Sequence, residues 1–451
     1  MTDRRSVIAG AAATLAASAA RPVLAAMPAS RDERPFVRRD ASHLMIGRDR
    51  YRYAGANMWY AAYLGAEAPI GDRARLRREL DALTGMGIGN LRILASSEAS
   101  PLRNAVKPSF RDQGTAYNET LLRGLDVALA EMGKRGMRAV LYLTNFWDWS
   151  GGMMTYLSWT NGGRYIEPND PAHPWPAFAD MTAQFYRSPA AIALYHEYVR
   201  AVVGRTNSVT GMRYIDDPTI MAWQLANEPR PGGSAEVAHA GLPPFLDWVR
   251  GTARLIKSID PNHLVSTGSE GLQGGVDDPA IVLAEHAIPE IDYLTAHIWP
   301  LNWSWVDDKD LAGTWESGAA KVRDYVRRHV ALANQLNKPL VIEEFGFPRD
   351  HGYDPGSPTV WKDRFYRLIY GMAEADVADG GPTAGTNFWA WGGSGRSATA
   401  DHRYRPGPAH LVGDPPHEPQ GWYSVFDVDV STRCVIAAHA SAMRRAGRAA
   451  A

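Results

Sequence analysis

The sequence predicts a (β/α)8 TIM barrel, of the α/β class, with long loops at the C-terminal ends of its strands. Three observations predict it. Eight short apolar runs, bounded by turn residues, alternate with amphipathic segments of helical period. No run is followed by the G-x-G-x-x-G turn that would favour a doubly wound open sheet. The longest insertions follow C-terminal strand ends, where such barrels build their sites.

The first strand is read over residues 51–57. A helix over 72–85 follows, with Leu76, Leu80 and Leu83 on one face, and then a second strand over 90–94. A helix over 121–135 carries Leu122, Leu125, Leu129 and Met132 as its stripe and stops at Gly136. The third strand spans 137–144. The fourth, 220–226, starts behind the turn Asp216-Asp217-Pro218, and Pro229 forbids its extension. Then come a helix over 245–259, a fifth strand over 263–268, a sixth over 291–296, a helix over 319–336, a seventh strand over 340–344 and an eighth over 386–391. Insertions occupy 145–188, 230–244 and 392–423. The tail from about 436 reads as a last helix with a frayed end.

Composition narrows the class. Hydrophobic content of 45% and charged content of 22% suit a globular chain with a sizeable core. A net charge of −1 favours neither nucleic acid nor an anionic membrane as partner. The single cysteine, Cys434, excludes an intrachain disulfide framework and any multi-cysteine metal site. Tryptophan is frequent, at 15 residues beside 19 tyrosines, more than core packing alone asks for; flat rings stack on sugar faces. Arg4-Arg5-Ser6-Val7-Ile8, an Ala-rich stretch and Val23-Leu24-Ala25 read as a twin-arginine export signal over 1–26, with a weak N-terminal helix as the plain alternative. The apolar run is too short to anchor in a membrane. The expected organisation is a signal (1–26), a linker (27–40) and a single barrel domain (41–451), in a periplasmic or secreted monomer.

Two apolar strands end in carboxylates. Ile220-Met221-Ala222-Trp223-Gln224-Leu225-Ala226 runs into Asn227-Glu228, and Pro339-Leu340-Val341-Ile342 runs into Glu343-Glu344. Paired carboxylates at one barrel mouth suggest glycoside cleavage. The other strand ends add Arg92, His297, Trp299 and Trp389. Together, Asn227-Glu228-Pro229, Glu344-Phe345-Gly346, His297, Arg92 and Trp389 resemble glycoside hydrolase family 5 over about residues 45–430. The strings Trp223-Gln224-Leu225-Ala226-Asn227-Glu228-Pro229-Arg230 and Asn387-Phe388-Trp389-Ala390-Trp391-Gly392-Gly393 resemble its β-mannanase branch.

The resemblance implies that Glu228 is the general acid/base and Glu344 the nucleophile of a retaining double displacement. Glu228 should then be held partly protonated by a dry pocket and a neighbouring anion, and Arg92 should keep Glu344 ionised. Asn227 should meet the sugar 2-OH, with a plain strand cap as its alternative. His297 should lie at the −1 sugar, with a satisfied core histidine as its alternative. Trp299 stands where the family commonly has a Tyr whose hydroxyl contacts the nucleophile; an indole donates but cannot accept. Trp389 should floor the −1 subsite, and Trp391 and Trp422 should line the same cleft or serve as core. Side chains alternate along a strand, so Glu343 should point away from Glu344, toward the helix layer.

The aromatic stretch Asn145-Phe146-Trp147-Asp148-Trp149, with Trp159 and Trp175 beyond it, reads as a wall for further sugars or as a mini-core; His417 and Glu418 are further candidates for substrate contact. No cofactor and no metal are expected. His196-Glu197 lacks the second zincin histidine at position 200, Asp307, Asp308 and Asp310 do not fit an EF-hand, and no ligand cluster is evident at the strand ends. The resemblance implies an endo-β-1,4-mannanase acting on mannan, glucomannan or galactomannan. The alternatives are an exo-acting β-mannosidase, a cellulase-like family member and a non-catalytic sugar-binding barrel.

Overall fold

A computed structural model describes residues 36–114 and 116–448; the expected export signal and residues 27–35 lie outside them. The eight apolar runs form one parallel sheet: β1 (Tyr53–Asn57), β2 (Asn90–Leu94), β3 (Arg138–Tyr142), β4 (Ile220–Gln224), β5 (Leu264–Ser266), β6 (Leu294–Ile298), β7 (Leu340–Phe345) and β8 (Thr383–Phe388). Their order is β5-β4-β3-β2-β1-β8-β7-β6, so the last strand pairs with the first, Thr386 opposite Ala54. The β5–β6 seam is bridged by single bonds: Asp292 N–H to Val265 O (2.7 Å), Thr295 Oγ1 to Ser269 O (2.5 Å) and His297 N–H to Glu270 O (3.1 Å). Every strand residue except Arg138 is buried, which explains why the runs are continuously apolar rather than alternating.

A helix follows each strand: Arg73–Gly85, Glu119–Gly133, Pro189–Val203, Ala235–Ile259, Pro279–His286, Leu311–Leu336, Val360–Ala378 and Val430–Arg448. Most begin at a side-chain cap, as where Asp72 accepts from Arg75 N–H and Ser234 from Val237 N–H. The fourth helix starts ten residues before the expected position, at Ala235 rather than 245. It runs through Pro243 and Pro244, which normally break a helix. Burial of Ala238, Gly241, Phe245, Trp248 and Val249 along one face holds it together through the lost donors. The insertion after β4 is therefore short.

Residues 37–40, expected in a linker, form the first strand of an antiparallel meander: Val37–Asp40, His43–Ile46 and Asp49–Arg50. Its strands are short and half exposed, so no alternation marked them. Val37 and Leu44 pack against Tyr53, Val140, Met221, Tyr293 and Val341, closing the N-terminal end of the barrel. The C-terminal end stays available. There the insertion after β8 is clamped by two buried residues of the first helix. Arg75 donates to Leu411 O (2.8 Å), and Glu79 accepts from Ser394 N–H (2.9 Å) and Trp391 Nε1 (2.9 Å).

Candidate active site

Four strands deliver charged groups to one point at the barrel mouth. Arg92, on β2, is fully buried. It donates through Nε to Gln224 Oε1 (2.7 Å), through Nη2 to Asn227 Oδ1 (2.8 Å) and through Nη1 to Glu344; Glu343 Oε2 lies 3.6 Å from its Nε. Its guanidinium also sits 4.5 Å over the Tyr142 ring. A planar fork can serve several acceptors at once, and only such pairing makes a buried charge tolerable.

Just past β4, Glu228 takes a φ of +51°, a left-handed conformation rare for a residue with a side chain. The backbone holds it there: Asn227 N–H donates to Thr144 O (2.8 Å) and Glu228 N–H to Gly268 O (2.9 Å). Its Oε1 is 2.6 Å from His297 Nδ1, and its Oε2 accepts from Trp147 Nε1 at 2.5 Å. His297 Nδ1 is also 3.3 Å from Glu344 Oε2. Ionised carboxylates only accept, so Nδ1 is assigned the hydrogen. One oxygen of Glu228, one of Glu344 and a nitrogen of His297 lie within 4.8 Å of one another.

The electrostatics differ from expectation at Glu228. Burial pushes its carboxyl up, but the hydrogen bond and charge of His297, with Arg230 and the Trp147 N–H, outweigh burial and hold it below the usual range. Burial disfavours the His297 cation too, yet the carboxylates of Glu344, Glu228 and Glu343 raise it well above an ordinary histidine. In the resting site the proton thus rests on the histidine side of the 2.6 Å bond.

Glu343 corrects a second expectation. It does not face the helix layer. A register shift on β7 between Ile342 and Glu344 turns both carboxylates inward. Glu343 is fully buried below Glu344, accepting from Gln224 Nε2 at 2.6 Å.

Around this centre lies a cavity of about 570 Å3. Asn227, Glu228, Glu344, Trp299, Trp389 and Trp147 line it. Among the described residues the buried Trp389 indole N–H has no hydrogen-bond partner. Trp299 packs edge-on against Trp389 and Tyr423, and its ring would meet any Cβ at Gly346 at 2.6 Å, so the glycine after Phe345 makes room for it. Four expected contact residues are not in the lining. Arg92 and His297 are fully buried behind the carboxylates. Trp391 is fully buried with its N–H spent on Glu79, and Trp422 packs on Tyr353 and Tyr423.

Other lining residues carried no signal of their own. Arg230, next after Pro229, lies 5.0 Å over the Trp147 ring and pairs with Glu270, whose carboxyl burial pushes up to about 7. Glu270 comes from the loop after β5, a segment without aromatic or motif context. Gln273, Asn302 and Trp303 join it from the loops after β5 and β6. His417 and Glu418 do reach the cavity. Burial, with the charges of Asp414, Glu344 and Glu228, raises the Glu418 carboxyl well above its usual range, and its Oε2 has no partner among the described residues.

The clustering of Glu228, His297 and Glu344 also corrects the expectation of no potential ligand set at the strand ends. A divalent ion there would have to displace the Nδ1 proton and sit against Arg92. Dialysis against EDTA is therefore expected to leave hydrolysis unchanged; a loss reversed by adding back a divalent metal would make these three residues ligands.

A parallel barrel with two facing carboxylates at the ends of β4 and β7 defines a barrel glycosidase. The chain belongs to glycoside hydrolase family 5: residues 34–448 match the GH family 5 beta-mannosidase-like family. A glycoside hydrolase family 5 mannosidase from Rhizomucor miehei is 33% identical, with a TM-score of 0.84 over 93% of this chain and 100% of its own. The putative mannan endo-1,4-beta-mannosidase 9 of Oryza sativa subsp. japonica is 30% identical over 78% of this chain and 81% of its own. An endo-1,4-beta-mannanase from Rhizomucor miehei shares the fold, at 22% identity and a TM-score of 0.66 over 91% of this chain and 99% of its own.

Proposed function

We propose that the protein is a retaining β-mannosidase that removes terminal mannose from β-1,4-linked manno-oligosaccharides. The observation that carries the terminal mode is the braced rim. Tyr423, in the insertion after β8, donates to Asn302 Oδ1 at 2.5 Å in the loop after β6, while Asn104 and Asp148 join the loops after β2 and β3 at 2.8 Å. Two loop pairs of the rim, β6 with β8 and β2 with β3, are tied in this way, and the β8 insertion brings Glu418 to the cavity. Bracing of this kind supports a site that takes a chain end, whereas an endo enzyme needs a cleft open at both ends. The similarity to the Rhizomucor miehei mannosidase supports the same reading; the rice relative's name favours the endo reading.

In the mechanism, Glu344 attacks the anomeric carbon as the glycosidic C–O bond breaks. Glu228 passes a proton to the departing oxygen and draws on the His297 Nδ1–H to do so. Water then attacks the glycosyl–Glu344 ester, its proton going to Glu228, and Glu344 leaves as carboxylate. The oxygens of Glu228 and Glu344 within 4.8 Å of each other suit retention, which needs carboxyl groups about 5–5.5 Å apart, rather than the roughly 6.5–9.5 Å of inversion. On this reading Asn227, which is beside Glu228 and accepts from Arg92, meets the sugar 2-OH, and Trp389 in the cavity wall stacks beneath the ring.

Mannohexaose labelled at its reducing end tests the terminal mode. The expected first products are mannose and labelled mannopentaose. Labelled mannobiose or mannotriose among the initial products would return the assignment to an endo-mannanase.

A further inference from the structure

His297 has a carboxylate at both edges. Its Nδ1 edge meets Glu228 and Glu344. Among the described residues its Nε2, fully buried, has no hydrogen-bond partner inside ordinary distance, and it faces Glu343 Oε2 at 3.8 Å. Nothing in the double displacement uses Glu343. Yet the β7 irregularity brings this second carboxylate into the barrel interior, and three groups hold it there: Gln224 Nε2 donates to its side chain, Arg92 lies 3.6 Å away, and Asn57 Nδ2 donates to its backbone carbonyl at 2.9 Å. A fully buried carboxylate is costly to keep unless it serves its neighbours.

We propose that Glu343 is a positioning residue for catalysis: from below the site it binds the far edge of His297, fixing the ring so that Nδ1–H is always presented to Glu228 and Glu344. A histidine between an upper and a lower carboxylate keeps a hydrogen on each nitrogen, so it can lend its Nδ1 proton to Glu228 without the ring flipping or changing tautomer. The groups facing His297 are Glu228 after β4, Glu343 and Glu344 of β7, and Arg92 of β2. Glu270, Arg230 and His329 form a more distant shell of charge and polarity. Tyr53 and Tyr293 approach Glu343 from beneath. Glu343 is the carboxylate in this set that faces the Nε2 edge, at 3.8 Å. The inference rests on the two-carboxylate reading of the site, but its test can be read without turnover.

The test is nitrogen NMR of 15N-histidine-labelled protein, with His297 assigned by its loss in His297→Asn. In the resting protein both His297 nitrogens are expected to be protonated at pH 7 and to remain so well above the range of a free imidazole. In Glu343→Gln, an isosteric change that removes the charge, the His297 midpoint should fall by about one pH unit or more, the size of effect an adjacent opposite charge exerts. The basic limb of kcat/KM should fall with it, and Glu343→Asp should recover part of both shifts. A neutral His297 at pH 7 in the unmodified protein would overturn the proposal, as would a folded Glu343→Gln whose ring titration and basic limb do not move. Should Glu343→Gln misfold, the protonation of His297 in the unmodified protein and the titration of Glu343→Asp still decide between the two outcomes. Failure of the two-carboxylate reading would show instead as undiminished hydrolysis by Glu344→Ala.

Discussion

Replacing Glu344 with Ala is expected to lower kcat on aryl β-mannosides by about 10^4- to 10^6-fold, the scale on which enzymes fall when a nucleophile is removed. The geometry explains why the loss should be so complete. Glu344 is the carboxylate bonded to Arg92 Nη1, it lines the cavity, and the indole of Trp389 lies in the same wall. No neighbour can replace it. Glu343 is sealed below the site, and Glu228 is bound by His297 and Trp147 on the opposite side. The same variant can be made to report the stereochemistry. With a good aryl leaving group and added azide, the small anion enters the space left by the carboxylate and attacks the face that Glu344 occupied. Recovered turnover giving α-mannosyl azide is the expected result. Retained hydrolysis near the original rate, or β-mannosyl azide as the product, would remove Glu344 from the nucleophile's place.

The barrel was legible in the sequence because its strands are buried on both faces and its helices carry clear stripes. Where the reading failed, the cause is local. The meander over 37–50 is too short and too exposed to show a period. Pro243 and Pro244 spoke for a break that packing along Ala238, Phe245 and Val249 overrides. Of the site, Glu228 and Glu344 were legible because each stands at the end of an apolar run, Glu228 beside Pro229, which stops the ladder. Alternation misplaced Glu343, since a register irregularity on one strand leaves no mark in composition. Trp391 carried the same aromatic signal as Trp389 two positions away, yet its indole binds Glu79. Glu270 and Arg230 meet through a contact between separate loops, and one sequence alone has no means of pairing them.

Glu228→Ala should separate substrates by the quality of their leaving group. On manno-oligosaccharides, where the departing sugar oxygen needs a proton, kcat/KM is expected to fall by about 10^3- to 10^4-fold, near the upper end of what general acid catalysis contributes. On a dinitrophenyl β-mannoside, whose leaving group departs without a proton, kcat/KM should fall far less. Breakdown of the glycosyl–Glu344 ester should then limit turnover, because no base remains to activate water. Azide should relieve that second step and yield β-mannosyl azide, the opposite anomer to the one expected from Glu344→Ala. The pH dependence supplies a further sign. Because His297 and Glu228 share one proton across 2.6 Å, the intact enzyme is active while the pair holds that proton and loses activity as pH rises past the point where it leaves. With Glu228 gone and a leaving group that needs no acid, that basic limb should vanish for the dinitrophenyl substrate, although His297 still titrates. A basic limb that persists unchanged, together with equal losses on both substrates, would mean that the proton is delivered by another group, and Glu418, whose carboxyl burial raises well above its usual range in the same cavity, would be the residue to replace next.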